Sequence, residues 1–191
     1  DHGKIFIIAE IGMNHNGFYD KAIELIDIAI KAGADCVKFQ MRCLEELYSQ
    51  DALDVSKGDL STQYTIGLLR KFELSYDEYK KLAKYCHDNN IIFLCTPWDI
   101  KSADLIEKIG VSAYKVASAD MTNYALLDHL CEKGKPLILS TGLSKKSEID
   151  NVVKYLNSKK KKVKFALLHW NSTYPAPFKD INLNYLKTMS E

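Results

Sequence analysis

The chain reads as an α/β protein built on parallel strands, a (β/α)8 TIM barrel of which about six of the eight units are present. Three observations predict this. Apolar, strand-length runs recur every ~22–30 residues with helical periodicity between them, the pattern of right-handed βαβ crossovers. Polar side chains gather at the carboxyl ends of all six predicted strands: Glu10, Lys38 with Gln40, Thr96, Lys115 with Ser118, Ser140, and His169 through Tyr174. An open sheet concentrates its ligand groups at one crevice, whereas a barrel draws on every strand end. Finally, no G-x-G-x-x-G follows the first strand, which disfavours a dinucleotide-binding open sheet.

Each element has its own signal. Ile5–Ile11 is an apolar strand ending at Gly12. Tyr19–Lys31 places Ala22, Ile23, Ile26, Ala29 and Ile30 at helical spacing and stops at Gly33. Cys36–Met41 is the second strand. Gly58, Asp59 and Ser61 mark the connection after it as an excursion. A helix over Ser75–Asp88 opens with a capping-box pattern, Ser75-x-x-Glu78, and closes at Asn89-Asn90. Ile91–Cys95 is a strand, Ser102–Ile109 a helix closed by Gly110, and Ala113–Ala117 the fourth strand. Tyr124–Glu132 is a helix, Pro136–Ser140 the fifth strand, Lys146–Asn157 a helix and Val163–His169 the sixth strand. Asn182–Met189 opens a further helix. A full barrel has typically about 250 residues, and the sequence starts at Asp1-His2-Gly3 without an initiator Met. The expectation is a piece of a longer protein, residues 1–191 forming the N-terminal part of one catalytic barrel.

Composition bounds the function. The 191 residues are 47% hydrophobic and 27% charged, with a formal net charge of +1, the balance of a soluble globular domain. A near-neutral chain has no global attraction to nucleic acid or anionic membrane, and no apolar run approaches the ~18 residues of a spanning helix. Five cysteines without a C-x-x-C pair fit reduced thiols in a cytoplasmic protein. The Lys159–Lys162 run is read as a solvated turn, since no aromatic side chains interleave with it.

The most informative residues are Lys38 and Lys115, each inside a segment that otherwise reads as a buried strand. Lysine is rarely buried without an anionic partner or a chemical task. Alternation along the strands sets Lys38 with Cys36 and Gln40 opposite Val37 and Phe39, Lys115 opposite Tyr114 and Val116, and Glu10 opposite Ala9 and Ile11. With the apolar side facing the helices, Glu10, Lys38 and Lys115 are expected to converge on the barrel mouth. The two lysines can serve as point charges for phosphate and carboxylate. Two further readings stay open: either lysine neutralises a buried carboxylate such as Glu10, or one is a Schiff-base nucleophile. Around them, Asn14 and His15 follow Glu10 in a glycine-bounded turn, and Thr96-Pro97 and Ser140-Thr141-Gly142 offer hydroxyls and backbone N–H groups. The run His169–Pro177 is a proline-fixed loop dense in hydrogen-bonding side chains.

Six segments quoted in order resemble one family. They are Ala9-Glu10-Ile11-Gly12-x-Asn14-His15-x-Gly17, Ala32-Gly33-Ala34-Asp35-x-Val37-Lys38-Phe39-Gln40, Cys95-Thr96-Pro97-x-Asp99, Lys115-Val116-Ala117-Ser118, Leu139-Ser140-Thr141-Gly142-x-Ser144, and Leu168-His169-x-x-Ser172-x-Tyr174-Pro175. Together they are similar to the N-acetylneuraminate (sialic acid) synthases, with the bacterial legionaminate and pseudaminate synthases and the spore-coat polysaccharide homologue. The resemblance implies a cytoplasmic transferase that condenses phosphoenolpyruvate with the aldehyde of an N-acetylated amino sugar such as N-acetylmannosamine, releasing phosphate. It implies catalytic roles for Glu10, Lys38, Lys115 and Tyr174, and substrate contacts from Asn14, His15, Gln40, Thr96, Ser118, Asp120, Ser140 and Ser172. It implies a divalent metal, Mn2+ or Mg2+, whose histidine ligands lie on strands beyond the sixth, a C-terminal antifreeze-like domain, and a homodimer. Asp120 stands where many members have Glu, and Trp170-Asn171 where Cys-Thr is more usual. A Schiff-base aldolase and a non-catalytic sugar-phosphate binding module are the competing readings.

Overall fold

The computed structural model describes residues 3, 5–54, 59–173 and 175–190. The chain divides into two compact units, Asp1–Ser112 and Ala113–Glu191. In the first unit, β1 (Ile8–Gly12), β2 (Cys36–Met41) and β3 (Ile92–Pro97) form one parallel sheet in the order β1-β2-β3. Six helices accompany it: α1 (Tyr19–Lys31), α2 (Leu44–Leu47), α3 (Gln50–Leu53), α4 (Leu60–Phe72), α5 (Tyr76–Asp88) and α6 (Ile100–Ile109). In the second unit, β4 (Tyr114–Val116), β5 (Leu137–Ser140) and β6 (Phe165–Leu168) form a second parallel sheet in the order β4-β5-β6. Its helices are α7 (Tyr124–Lys133), α8 (Lys146–Ser158) and α9 (Tyr185–Ser190).

The helices form where apolar spacing and caps agree. Helix α1 buries Ala22, Ile26 and Ala29, one turn apart on a single stripe. Helix α5 begins with the expected reciprocal cap: Glu78 N donates to Ser75 Oγ while Ser75 N donates to the Glu78 carboxylate. Helix α8 buries Ile149, Val152 and Leu156. In the first unit, Phe39 of β2 stacks on Phe93 and meets Tyr79 of α5 edge-on. Each such fully buried apolar side chain contributes about 1.5–3 kcal/mol relative to exposure.

Among the described residues the six strands form two three-stranded parallel sheets and no closed barrel. The structure departs from expectation in two places. The first strand begins at Ile8, with Ile5, Phe6 and Ile7 83%, 52% and 52% exposed; Ile7 is tied to the neighbouring strand only at its edge, its carbonyl accepting from Asp35 N at 2.9 Å and Cys36 N at 3.2 Å. The excursion after β2 contains three helices, α2, α3 and α4. Asp59, read as a turn residue, is the N-cap of α4, accepting from Ser61 N and Thr62 N. Gly58 lies outside the described residues. No helix among the described residues is long and apolar enough to cross a membrane.

Thiol chemistry is quiet in this fold. Cys36, Cys86 and Cys95 are buried, and burial pushes each thiol up to about 12. The Lys159–Lys162 turn is tied down more firmly than a solvated run: Lys159 Nζ meets Asp128, and Lys161 Nζ donates to the Glu132 carbonyl at 2.8 Å.

Candidate active site

The same local device occurs once in each unit. In the first, Lys38 on β2 is 4% exposed, and its Nζ donates to Thr96 Oγ1 at the carboxyl end of β3, 3.0 Å away. The strand register explains the reach. Lys38 lies opposite Leu94, so Thr96 is the next residue on the same face of the neighbouring strand. In the second, Lys115 on β4 is 6% exposed, and its Nζ donates to Ser140 Oγ at the carboxyl end of β5, 2.5 Å away, and to the Val116 carbonyl at 2.9 Å.

Lys38 also pairs with Glu10 at 2.9 Å, the two being register partners on β2 and β1. This would favour a neutralising role for Lys38 if Glu10 were buried. The Glu10 side chain is instead 46% exposed, so water already solvates the carboxylate and does not require an inward lysine to do so. The energetically demanding member of the pair is Lys38.

Gln40 lies two residues along β2 from Lys38, and its Oε1 accepts from Arg42 Nη2 at 2.6 Å and Trp98 Nε1 at 3.3 Å. Arg42 did not stand out as a functional residue in the sequence. Asp99, part of the Cys95-Thr96-Pro97-x-Asp99 segment, is a structural clamp. It caps α6 by accepting from Ser102 N at 2.6 Å and also accepts from Cys43 N at 2.7 Å, tying the β2–α2 connection to the end of β3.

In the second unit Gly142 is the centre of a tight cradle. A Cβ built there would lie 2.6 Å from Trp170 Cδ1, 2.7 Å from Ser172 Oγ and 2.9 Å from Ser118 Oγ. Two of the expected substrate hydroxyls, Ser118 and Ser172, are therefore drawn together over a bare backbone, a geometry suited to an oxyanion. Asp120 closes the 3-10 turn Ser118–Asp120, is 9% exposed, and accepts from Asn123 Nδ2 at 3.1 Å. Gly142→Ala should displace Ser118 and Ser172 together. With phosphoenolpyruvate as the substrate that the resemblance implies, the full-length variant should lose about 10²-fold in kcat/KM, the cost of an ångström-scale misplacement, in steady-state assays. Unchanged kinetics would remove this cradle from the site.

Other expected site residues fall elsewhere. His15 is fully buried, its ring lying against Phe39 at 5.9 Å, on the side of β2 that packs against α5 and opposite Lys38. Its Nδ1 accepts from Gly17 N at 3.1 Å, and burial lowers its pKa, an effect partly offset by the Gly12 carbonyl and Glu78. This makes His15 a brace of the β1–α1 turn. Asn14 is exposed. In the His169–Pro177 loop, His169 Nε2 bonds with the Ile181 carbonyl and Asn171 Nδ2 donates to the Asp180 carbonyl, so both hold the loop itself. Tyr174 lies outside the described residues.

Parallel α/β units with buried lysines and hydroxyls at the strand ends define a class suited to phosphate- or carboxylate-bearing ligands. The chain belongs to the NeuB family, whose model matches residues 25–191. It is 42% identical over 184 residues to the Methanocaldococcus jannaschii protein MJ1065, covering 96% of this chain and 51% of that protein. To the Campylobacter jejuni N,N'-diacetyllegionaminic acid synthase it is 34% identical over 192 residues, covering 98% and 58%. The crystal structure of the N-acetylneuraminic acid (sialic acid) synthetase from Leptospira borgpetersenii, in complex with citrate, superposes with a TM-score of 0.86 at 34% identity, covering 98% of this chain and 61% of that one. The chain spans about half the length of the curated relatives it matches, 51% and 58% for these two.

Proposed function

We propose that the full-length protein condenses phosphoenolpyruvate with the open-chain aldehyde of an N-acetylated amino sugar, giving a sialic-type nonulosonic acid and phosphate. The observation that supports this most is the repeated device: a buried lysine whose Nζ is held by a hydroxyl from the next strand, Lys38 with Thr96 and Lys115 with Ser140. We assign these two cationic groups to the carboxylate and phosphate of phosphoenolpyruvate, with Ser118 and Ser172 as further phosphate donors. The family's named synthases agree with this chemistry. We also propose that the two sheets belong to a (β/α)8 barrel completed outside this chain.

In the reaction, the methylene carbon of the enol attacks the aldehyde carbon, and the carbon–carbon bond forms as the aldehyde oxygen takes up a proton. Positive charge develops at the enol-ether carbon, water adds there, and the resulting tetrahedral centre expels phosphate. Lys38 and Lys115 hold the anionic ends, so the methylene faces the aldehyde at attack distance and the charges of the transition state meet donors already in place. Glu10, exposed beside Lys38, can contact the sugar or hold a proton near the attacked carbonyl. Among the described residues no group of three or more His, Cys, Asp and Glu side chains could hold a metal ion. The Mn2+ or Mg2+ expected from the resemblance would take its ligands elsewhere, and no step here depends on it.

The test is product identification. The full-length protein, phosphoenolpyruvate and a panel including N-acetylmannosamine and diacetamido-trideoxy hexoses should yield a nonulosonic acid by mass spectrometry, with one phosphate released per product. Borohydride trapping of a covalent pyruvate adduct on Lys115 or Lys38 would instead support the Schiff-base aldolase and overturn the proposal.

A further inference from the structure

We propose that Arg42 and Trp98 are positioning residues that lock the Gln40 carboxamide with its N–H groups turned outward, so that Gln40 donates to an oxygen of the bound substrate beside Lys38. The inference rests on the functional reading above and adds two residues to it. Guanidinium and indole nitrogens are donors only, so the atom that accepts from both Arg42 Nη2 at 2.6 Å and Trp98 Nε1 at 3.3 Å must be the amide oxygen of Gln40. The orientation of the carboxamide is thereby dictated by chemistry rather than left to a free rotation. The lock is itself rigid: the Arg42 guanidinium sits 4.9 Å from the centre of the Trp98 ring, a cation–π contact that fixes the two donors relative to each other. Trp98 is held in turn by its backbone, Trp98 N donating to the Met41 carbonyl at 3.1 Å.

With the oxygen committed, the amide nitrogen has two hydrogens to donate, and no group among the described residues accepts from it. It lies over Gly12 at the end of β1. A Cβ there would be 3.5 Å from Nε2, so glycine leaves room beside this donor, and Gln40 shares the face of β2 that carries Lys38. A ligand oxygen, from a carboxylate, a carbonyl or a sugar hydroxyl, is the complement of that group. A substrate presenting a donor at this point would meet N–H against N–H and be rejected.

The experiment is a set of double-mutant cycles in the full-length protein, with KM measured separately for phosphoenolpyruvate and for the sugar. Gln40→Ala is expected to raise one of the two KM values about tenfold, the range for losing a hydrogen bond to a buried ligand. Trp98→Phe, which keeps the ring and removes only its N–H, and Arg42→Met should each raise that same KM severalfold. In the Gln40→Ala background both should add nothing. Additive effects, or an Arg42→Met effect confined to kcat or thermal stability, overturn the proposal, as does an unchanged KM in Gln40→Ala. If the wild-type protein fails to consume phosphoenolpyruvate, it is the proposed reaction that falls. Crystal structures of wild type and Arg42→Met then decide the lock itself: it stands if Gln40 changes rotamer in the variant and falls if the side chain is unmoved.

Discussion

Lys115→Ala in the full-length protein is expected to lower phosphoenolpyruvate-dependent phosphate release by at least about 10²–10³-fold, the scale for removing one preorganised donor from a reaction site. The side chain is 6% exposed on the shortest strand, and its Nζ is bonded to Ser140 Oγ and the Val116 carbonyl. Truncation removes the charge and leaves both acceptors without this donor, so part of any loss will be structural. Thermal unfolding separates the two effects, because a variant that melts near the wild-type temperature yet releases no phosphate has lost chemistry, not fold. Lys115→Arg provides the second check. Its planar fork cannot replace a point charge bonded to two acceptors at different angles, so it should remain far below wild type. A near-normal rate in Lys115→Ala would remove Lys115 from the mechanism.

How much of this was legible in the sequence depends on whether a feature is local. The capping box of α5 is written in Ser75 and Glu78 and appears as expected. Alternation along β2 separated Lys38 from Phe39, and the structure places Lys38 with Glu10 and Thr96 while Phe39 meets Tyr79. Helix α4 was hidden because it buries only Ile66, leaving no apolar stripe to read, and because its Asp59 cap resembles an ordinary turn residue. The burial of His15 was hidden for a different reason. A polar ring beside Glu10 reads as an open group, and only tertiary packing shows it lying against Phe39. The Gln40–Arg42–Trp98 lock needed the register of β2 against β3, which pairs Met41 with Pro97 and so sets Trp98 beside the end of β2. Arg42 shares the parity of Lys38 and Gln40, which was the one signal available.

Gly17→Ala is the substitution expected to cost the most stability, about 2–5 kcal/mol, from two separable causes. Gly17 has φ +80, where a side-chain-bearing residue is strained by about 1–2 kcal/mol. A Cβ there would also lie 2.3 Å from the Lys71 carbonyl oxygen and 3.3 Å from its carbon, near the end of α4. Backbone atoms cannot swing aside as a flexible side chain can, so the turn or the helix end must shift, at about 1–3 kcal/mol for overpacking. Gly33 isolates the second cause. It has nearly the same backbone, φ +78, but nothing lies within 4 Å of its would-be Cβ, so Gly33→Ala should cost only the strain, about 1–2 kcal/mol. Denaturant unfolding of both variants in the full-length protein gives the difference directly, and equal losses would show that the contact with Lys71 is not what demands glycine. The consequence should reach the site. The Gly12–Gly17 turn begins where β1 ends, two residues after Glu10, and His15 braces it through Gly17 N. A shift forced at Gly17 therefore loosens the segment that aims Glu10 at Lys38, and Gly17→Ala should lose phosphate-releasing activity at temperatures where it is still folded.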